Sequence, residues 1–240
     1  MENTVVSVRF LSGDLRLTGT LHLPHAKKPP LIIGSHGLFS NAASAKQIAL
    51  AEECGKHGMA FFRFDHRGCG QSEGKFKDVT SLAGRREDII AAAKTILAGD
   101  DIGTRIGLFG SSFGGAVCLS AAKELNAQAI VTVAAPIALN PSSEVIEIIK
   151  QTEPDAQQLI GDGKKLTFDI SDNVREISNL LLFHGDEDKI VPPFHALEIY
   201  RLANMPKRLI MFSGGDHPVS QPEDQKRLIT EASLWFKGAF

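Results

Sequence analysis

No stretch of this chain approaches the roughly 20 consecutive apolar residues that a membrane-spanning helix needs, so membrane insertion is not expected. An excess of charge of one sign is lacking too: 26 Lys and Arg against 28 Asp and Glu leave −2 at pH 7. A general binder of nucleic-acid phosphates would carry a clear basic excess, so no nucleic-acid partner is expected. Cysteine is scarce. Cys54, Cys69 and Cys118 lie far apart, with no CxxC pair and no metal-ligand spacing, which argues against disulfides and against a metal site. Reduced thiols fit the cytoplasm. Residues Met1 to Phe10 are polar and strand-like and lack the pattern of a signal peptide, which points to the same compartment. There are no repeats, low-complexity segments or linkers. A composition of 43% hydrophobic and 22% charged residues is ordinary for a chain that buries a full core. One domain over residues 1–240 is the expectation, because α/β folds often reach this size as a single unit.

What the chain does have is short apolar runs alternating with longer helical patterns. Val5 to Leu11 and Leu15 to Leu23 read as a hairpin around Ser12-Gly13-Asp14. Strands are expected at Leu31 to Gly34, Met59 to Phe64, Arg105 to Phe109, Ala129 to Ala134, Leu180 to Phe183 and Arg208 to Phe212. Helices are expected at Asn41 to His57, Thr80 to Ala98, Ser112 to Glu124, from about Pro192-Pro193, and at Glu223 to Phe236. Thr80 or Ser81 suits the N-cap of the second helix. Continuous apolar strands separated by helices predict an α/β fold, a mostly parallel sheet covered on both faces, with the hairpin as an antiparallel edge. Between Pro136 and Asn179 no clear sheet strand appears. Ser142 or Ser143 suits the cap of a helix carrying Val145, Ile146, Ile148 and Ile149, Pro154 would stop it, and a second element is expected from Asp155 to Ile160. This segment reads as a small inserted cap, because a structureless loop of that length is rare in a compact domain.

Chemistry concentrates at Gly110-Ser111-Ser112-Phe113-Gly114, which fits G-x-S-x-G and lies between an apolar strand and a helix. A nucleophilic serine on so sharp a turn needs neighbours without bulk two residues before and after it. The helix that follows points its N-terminus at the site and favours developing negative charge. Ser111 is out of register, since Phe109 and Phe113 would flank it. A serine hydroxyl needs a base, and the base needs an orienting acid. His217, in Gly214-Gly215-Asp216-His217-Pro218 after the last strand, is the candidate base. Asp186, Glu187 and Asp188 share the loop after the Leu180 to Phe183 strand, and spacing alone leaves the acid open among them. Both loops lie at strand C-terminal ends, where open parallel sheets bind ligands. Two donors are needed for an oxyanion. The amides of Phe113 and of Leu38, in Ser35-His36-Gly37-Leu38-Phe39, are the candidates, with His36 and Gly37 shaping the turn.

Taken together, these residues resemble the α/β-hydrolase superfamily over nearly the whole chain. In that family the acid of an HGxxDxxVP loop is the second aspartate, which the resemblance places at Asp188 of His184-Gly185-Asp186-Glu187-Asp188-Lys189-Ile190-Val191-Pro192. The run Phe64 to Phe76, with Asp65, Arg67 and Ser72, resembles the corresponding loop of bacterial carboxylesterases of the cinnamoyl/feruloyl-esterase group. Those enzymes carry a small cap where this chain has Pro136 to Asn179. Arg67 is read here as a pairing residue that orders its loop. Phe168 is the only aromatic residue of the cap segment. Serine at 112, rather than the cysteine of dienelactone-type hydrolases or the aspartate of epoxide hydrolases and haloalkane dehalogenases, implies acyl transfer to water.

The resulting expectation is a carboxylesterase-like serine hydrolase acting on small-molecule esters through an acyl-enzyme, with no cofactor and no metal. Thioesterase or peptidase activity by the same triad, and a non-catalytic ligand-binding protein of the same fold, are the alternatives. The apolar helix at Val145 to Ile149 suits either the core or a second chain, which leaves a homodimer open.

Overall fold

Alternate residues of the central strands divide between two cores, and this sets the architecture. Leu31 and Ile33 pack on one side and Ile32 on the other; Leu180 and Leu182 likewise oppose Leu181 and Phe183. A strand that is apolar on both faces must be covered on both, which is what the continuous apolar runs require. The computed structural model describes residues 4–140 and 164–240.

Ten strands are described: β1 (Thr4–Ser12), β2 (Leu15–Leu23), β3 (Leu31–Ser35), β4 (Ala60–Phe64), β5 (Ile106–Ser111), β6 (Ala129–Val133), β7 (Ala138–Leu139), β8 (Phe168–Asp169), β9 (Leu180–Gly185) and β10 (Lys207–Phe212). Eight form one sheet in the order β1-β2-β4-β3-β5-β6-β9-β10. The hairpin β1–β2 pairs antiparallel with itself and with β4, and the remaining pairs are parallel. The short strands β7 and β8 pair antiparallel as a separate ribbon.

The described helices are α1 (Ala45–Lys56), α2 (Phe76–Val79), α3 (Leu82–Leu97), α4 (Phe113–Ala121), α5 (Ser171–Val174), α6 (Phe194–Leu202) and α7 (Pro222–Ala239). One core takes α3, α4 and α6 through Ile89, Ile96, Val117, Leu119 and Ile199. The opposite core takes α1 and α7 through Leu50, Cys54, Leu228 and Phe236. Ser81 caps α3, its side chain accepting the Gly84 amide at 3.0 Å. Pro222 opens α7 where a missing N–H costs nothing, and Glu223 and Asp224 complement its dipole.

Chain order creates a switch point. From β3 the chain crosses to β4 on one side and then to β5 on the other. Loops leaving the C-terminal ends of β3 and β5 therefore diverge and leave a crevice, the place where such sheets bind ligands. Helix α1 starts later than the pattern suggests, at Ala45 rather than Asn41. The Ala43 amide is drawn to the Asn41 side chain (2.8 Å) and the Ala42 amide to Asp65 (2.7 Å), a local turn that competes with helix. The two expected cap elements, Ser142 to Ile149 and Asp155 to Ile160, lie outside the described residues. Among the described residues no helix is long and apolar enough to cross a membrane.

Candidate active site

Ser112 sits at the tip of a sharp strand-to-helix turn with φ 54° and ψ −125°, a conformation unfavourable for a residue with a side chain. It lies between β5 and α4, so the helix begins one residue later than its pattern suggests. The turn closes only because its flanks are glycine. A Cβ on Gly110 would lie 2.3 Å from the Gly114 carbonyl oxygen, and one on Gly114 would lie 2.2 Å from that of Ser35. The Ser112 amide is held by the Val133 carbonyl at 2.7 Å, which anchors the turn to β6.

Two further loops meet this serine. His217 Nε2 lies 3.0 Å from Ser112 Oγ, and His217 Nδ1 lies 2.7 Å from Asp188 Oδ2. The loops after β9 and β10 approach closely at Gly185, where a Cβ would lie 2.1 Å from the Gly215 oxygen. Asp188 is buried, and its other oxygen accepts the Ile190 and Val191 amides at 2.9 and 2.8 Å. Burial alone would raise this carboxyl, but hydrogen bonds from His184 and His217 hold it well below the usual carboxylate range. It is therefore an anion facing the imidazole. Asp186 takes a different direction and accepts the Gly214 amide at 2.6 Å. Glu187 is exposed on the same loop.

The amide of Phe113 lies in the first turn of α4, where no intrahelical acceptor exists. Across from it runs the loop after β3. A Cβ on Gly37 would lie 3.6 Å from Ser112 Cβ, so this loop passes directly beside the serine. The Gly37 carbonyl accepts His36 Nδ1 at 2.8 Å and Arg85 Nη1 at 3.2 Å. In a planar trans peptide C=O and N–H point opposite ways, so the Leu38 N–H points away from those two donors.

A cavity of about 370 Å³ opens over Ser112. Leu38, Phe113, Leu139, Val191 and His195 contribute to its wall, and Lys46 lies on its rim. Burial, with His184 nearby, lowers the His195 imidazole to about 4, which leaves the wall uncharged there at neutral pH. Phe168 of β8 packs edge-on against Phe113 with centroids 5.6 Å apart, which ties the β7–β8 ribbon to the site. The Lys46 ammonium donates to the Pro218 carbonyl and steadies the loop that carries His217.

The residues of the Phe64 to Phe76 loop stand behind the site and do not line the cavity. Asp65 ties down the Ala42 and Gln71 amides, and Ser72 donates to the Asp65 carbonyl at 2.6 Å. Arg67 pairs with Asp88 at 2.8 Å. Sequence reasoning missed a buried set beside them: Ser35 Oγ lies 2.8 Å from His66 Nε2, and His66 Nδ1 lies 3.2 Å from Asp88 Oδ2. Burial, the larger effect, lowers His66 to about 4 despite its bond to Asp88. A signal for this set existed. Arg85 and Asp88 fall on the same stripe of α3 as Ile89, Ala92 and Ile96, and charge on an apolar stripe has to be answered by buried partners. Among the described residues no group of three or more His, Cys, Asp or Glu is placed to hold a metal ion, and Cys54, Cys69 and Cys118 are free and buried.

With the geometry in place, comparison with known proteins adds identity. The family model described as serine aminopeptidase, S33, matches residues 26–161. The uncharacterized protein YfhR of Escherichia coli (strain K12) is 29% identical over 220 residues, spanning 88% of this chain and 72% of that one. The mitochondrial palmitoyl-protein thioesterase ABHD10 of Mus musculus is 28% identical over 224 residues, spanning 84% and 73%. Among solved structures, Est1E from Butyrivibrio proteoclasticus, with ferulic acid bound, has a TM-score of 0.74 at 23% identity over 95% of this chain and 97% of that one. At that identity the likeness shows a shared fold, that of the α/β-hydrolases.

Proposed function

This chain belongs to the serine aminopeptidase S33 family of α/β-hydrolases, and on that premise we propose that it cleaves carboxylic esters of small molecules through an acyl-enzyme on Ser112. The observation that carries this reading is the relay from Ser112 Oγ to His217 Nε2 (3.0 Å) and from His217 Nδ1 to Asp188 (2.7 Å), on a serine held at positive φ.

His217 accepts the Ser112 proton as Oγ attacks the carbonyl carbon. Asp188 keeps the proton of the ring on Nδ1 and stabilises the imidazolium that forms. The carbonyl oxygen becomes an anion between the Phe113 and Leu38 amides, the two donors assigned to it in this reading. His217 then protonates the leaving alcohol, and in the second half of the cycle it takes a proton from water, which attacks the acyl-enzyme and frees Ser112. No step calls on a cofactor or metal. The apolar wall suits an acyl or alkyl group.

Thioesters are the second reading. Mouse ABHD10, named a palmitoyl-protein thioesterase, aligns over most of this chain, and a thioester carbonyl passes through the same tetrahedral oxyanion. The test is treatment with a fluorophosphonate probe followed by peptide mapping, alongside matched oxygen esters, thioesters and aminoacyl arylamides. The expected result is one label on Ser112 and turnover of an ester or thioester. An unlabelled, folded protein would sink the hydrolase reading and favour a ligand-binding role.

A further inference from the structure

Arg85 is the largest fully buried side chain among the described residues, yet no carboxylate among them pairs with it. Asp88, one turn along α3, is turned to His66 and Arg67. The guanidinium spends its donors on neutral acceptors: Nη1 on the Gly37 carbonyl at 3.2 Å and, more weakly, on that of His36, and Nη2 on the Leu38 carbonyl at 2.8 Å and on Cys69 Sγ at 3.2 Å. Its Nε has no partner among the described residues. Its Cζ lies over the Phe113 ring, 5.3 Å from the centroid. Burying a cation without a carboxylate partner is costly, and here only hydrogen bonds to neutral acceptors and the adjacent aromatic ring offset that cost.

Those contacts lie on both sides of Ser112. Resting on the acyl-enzyme reading above, we propose that Arg85 is the positioning residue of the oxyanion site. By holding the Gly37 and Leu38 carbonyls on the α3 side, it keeps the Leu38 N–H turned toward Ser112. By packing on the Phe113 ring, it fixes the segment that supplies the second amide. Its buried positive charge lies behind the loop that receives the developing negative oxygen. His36 assists from the same side. Its Nδ1–H donates to Gly37, and its Nε2 accepts the His66 amide at 3.1 Å, so its tautomer and ring orientation are set.

A residue that merely supports the fold would slow all substrates alike when replaced. A residue that positions oxyanion donors acts on substrates in proportion to how well their anion accepts hydrogen bonds. The experiment compares p-nitrophenyl acetate with its thiono analogue, in which sulfur replaces the carbonyl oxygen and accepts hydrogen bonds poorly. Wild type, Arg85→Met and Arg85→Lys are assayed, with each protein's fold checked by circular dichroism and each treated with the fluorophosphonate probe. For Arg85→Met the expected result is a fall in kcat on the oxygen ester of about 10²-fold, the size seen when one oxyanion donor is lost, with KM changed by less than about threefold. The oxygen-to-thiono rate ratio should fall by about tenfold at the same time. Arg85→Lys, which keeps the charge and reaches one carbonyl, should lie between; it carries the test alone if the methionine variant does not fold. A wild type labelled on Ser112 whose folded Arg85 variants keep the wild-type ratio overturns the Arg85 assignment and leaves the hydrolase reading standing. A wild type that takes no label brings down both.

Discussion

Two Ser–His–Asp arrays stand at the C-terminal ends of neighbouring strands. At the end of β5 are Ser112, His217 and Asp188; at the end of β3 are Ser35, His66 and Asp88. The residue types are the same, and so are the bonded atoms: serine Oγ to histidine Nε2, histidine Nδ1 to aspartate Oδ2. What differs is access. The His66 and Asp88 side chains are fully enclosed, whereas the His217 side chain keeps 17% exposure beside the cavity. Ser35 lies in a regular strand and Ser112 at a strained turn. The buried carboxylate of Asp88 also answers a guanidinium, that of Arg67, while Asp188 is held by two backbone amides in addition to its histidines. Three side chains in a row therefore do not make a site of reaction. Among the described residues a cavity and a serine lifted from the sheet at a helix N-terminus accompany the β5 array and not the β3 array, and the proposed function rests on that difference.

The contrast is sharpest at the two serines. Ser112→Ala should lower kcat on a short acyl ester by ~10⁴ or more. Ser35→Ala, measured on the same substrate, should leave it within about threefold, because Ser35 cannot reach solvent. Equal losses would erase the distinction between the arrays. Next in size is the acid. Asp188→Asn should cost ~10³ in kcat by favouring the wrong imidazole tautomer, with little change in KM. Asp186→Asn should be close to wild type, and the reverse order of effects would reassign the acid.

In the buried array the expected loss is of stability. Asp88→Asn removes the charge facing Arg67 and His66, and urea unfolding should show a loss of about 3 kcal/mol. An unchanged midpoint would mean that this array braces nothing.

Acid should unfold the protein through its buried histidines. Burial lowers His66 and His195 to about 4 in the native fold, below the ordinary imidazole value of 6.5. Between those two pH values the unfolded chain binds protons that the native state does not, so stability falls as pH falls. For His66 alone the loss by pH 4 is on the order of 3 kcal/mol. The lowered Asp88 and Asp188 carboxyls add their loss at still lower pH, as it drops below the ordinary carboxylate range. Melting curves from pH 7.5 to pH 4 should show a steadily falling Tm, and a flat profile would contradict the neutral state of these rings. The smallest effect is the stability change of Ser35→Ala, about 1 kcal/mol, from an imidazole nitrogen left without its donor.

Much of this was legible from local pattern. Gly110 and Gly114 around Ser112, between an apolar strand and a helix, mark a turn whose steric demand is met by residues four apart. The two loops bearing Asp188 and His217 follow apolar strands, so their placement at one edge of the sheet follows from the parallel arrangement. The choice among Asp186, Glu187 and Asp188 was not legible from spacing. It turns on which way each side chain leaves one short loop, and Gly214 captures the first while His217 meets the third. The array at β3 went unread because its members lie 22 and 31 residues from His66, and each alone looks ordinary.

The amino-acid sequence by itself determined the layers, the strand order's parallel character and the serine's turn, since periodic burial and close backbone approach are local demands. Tertiary structure alone decided that Asp188 faces His217, that His66 is sealed, and that Arg85 reaches behind the Gly37–Leu38 peptide. Each of those is a meeting of segments far apart in the chain. Which partner a buried charge or proton finds is settled only when the surrounding surfaces close and exclude water.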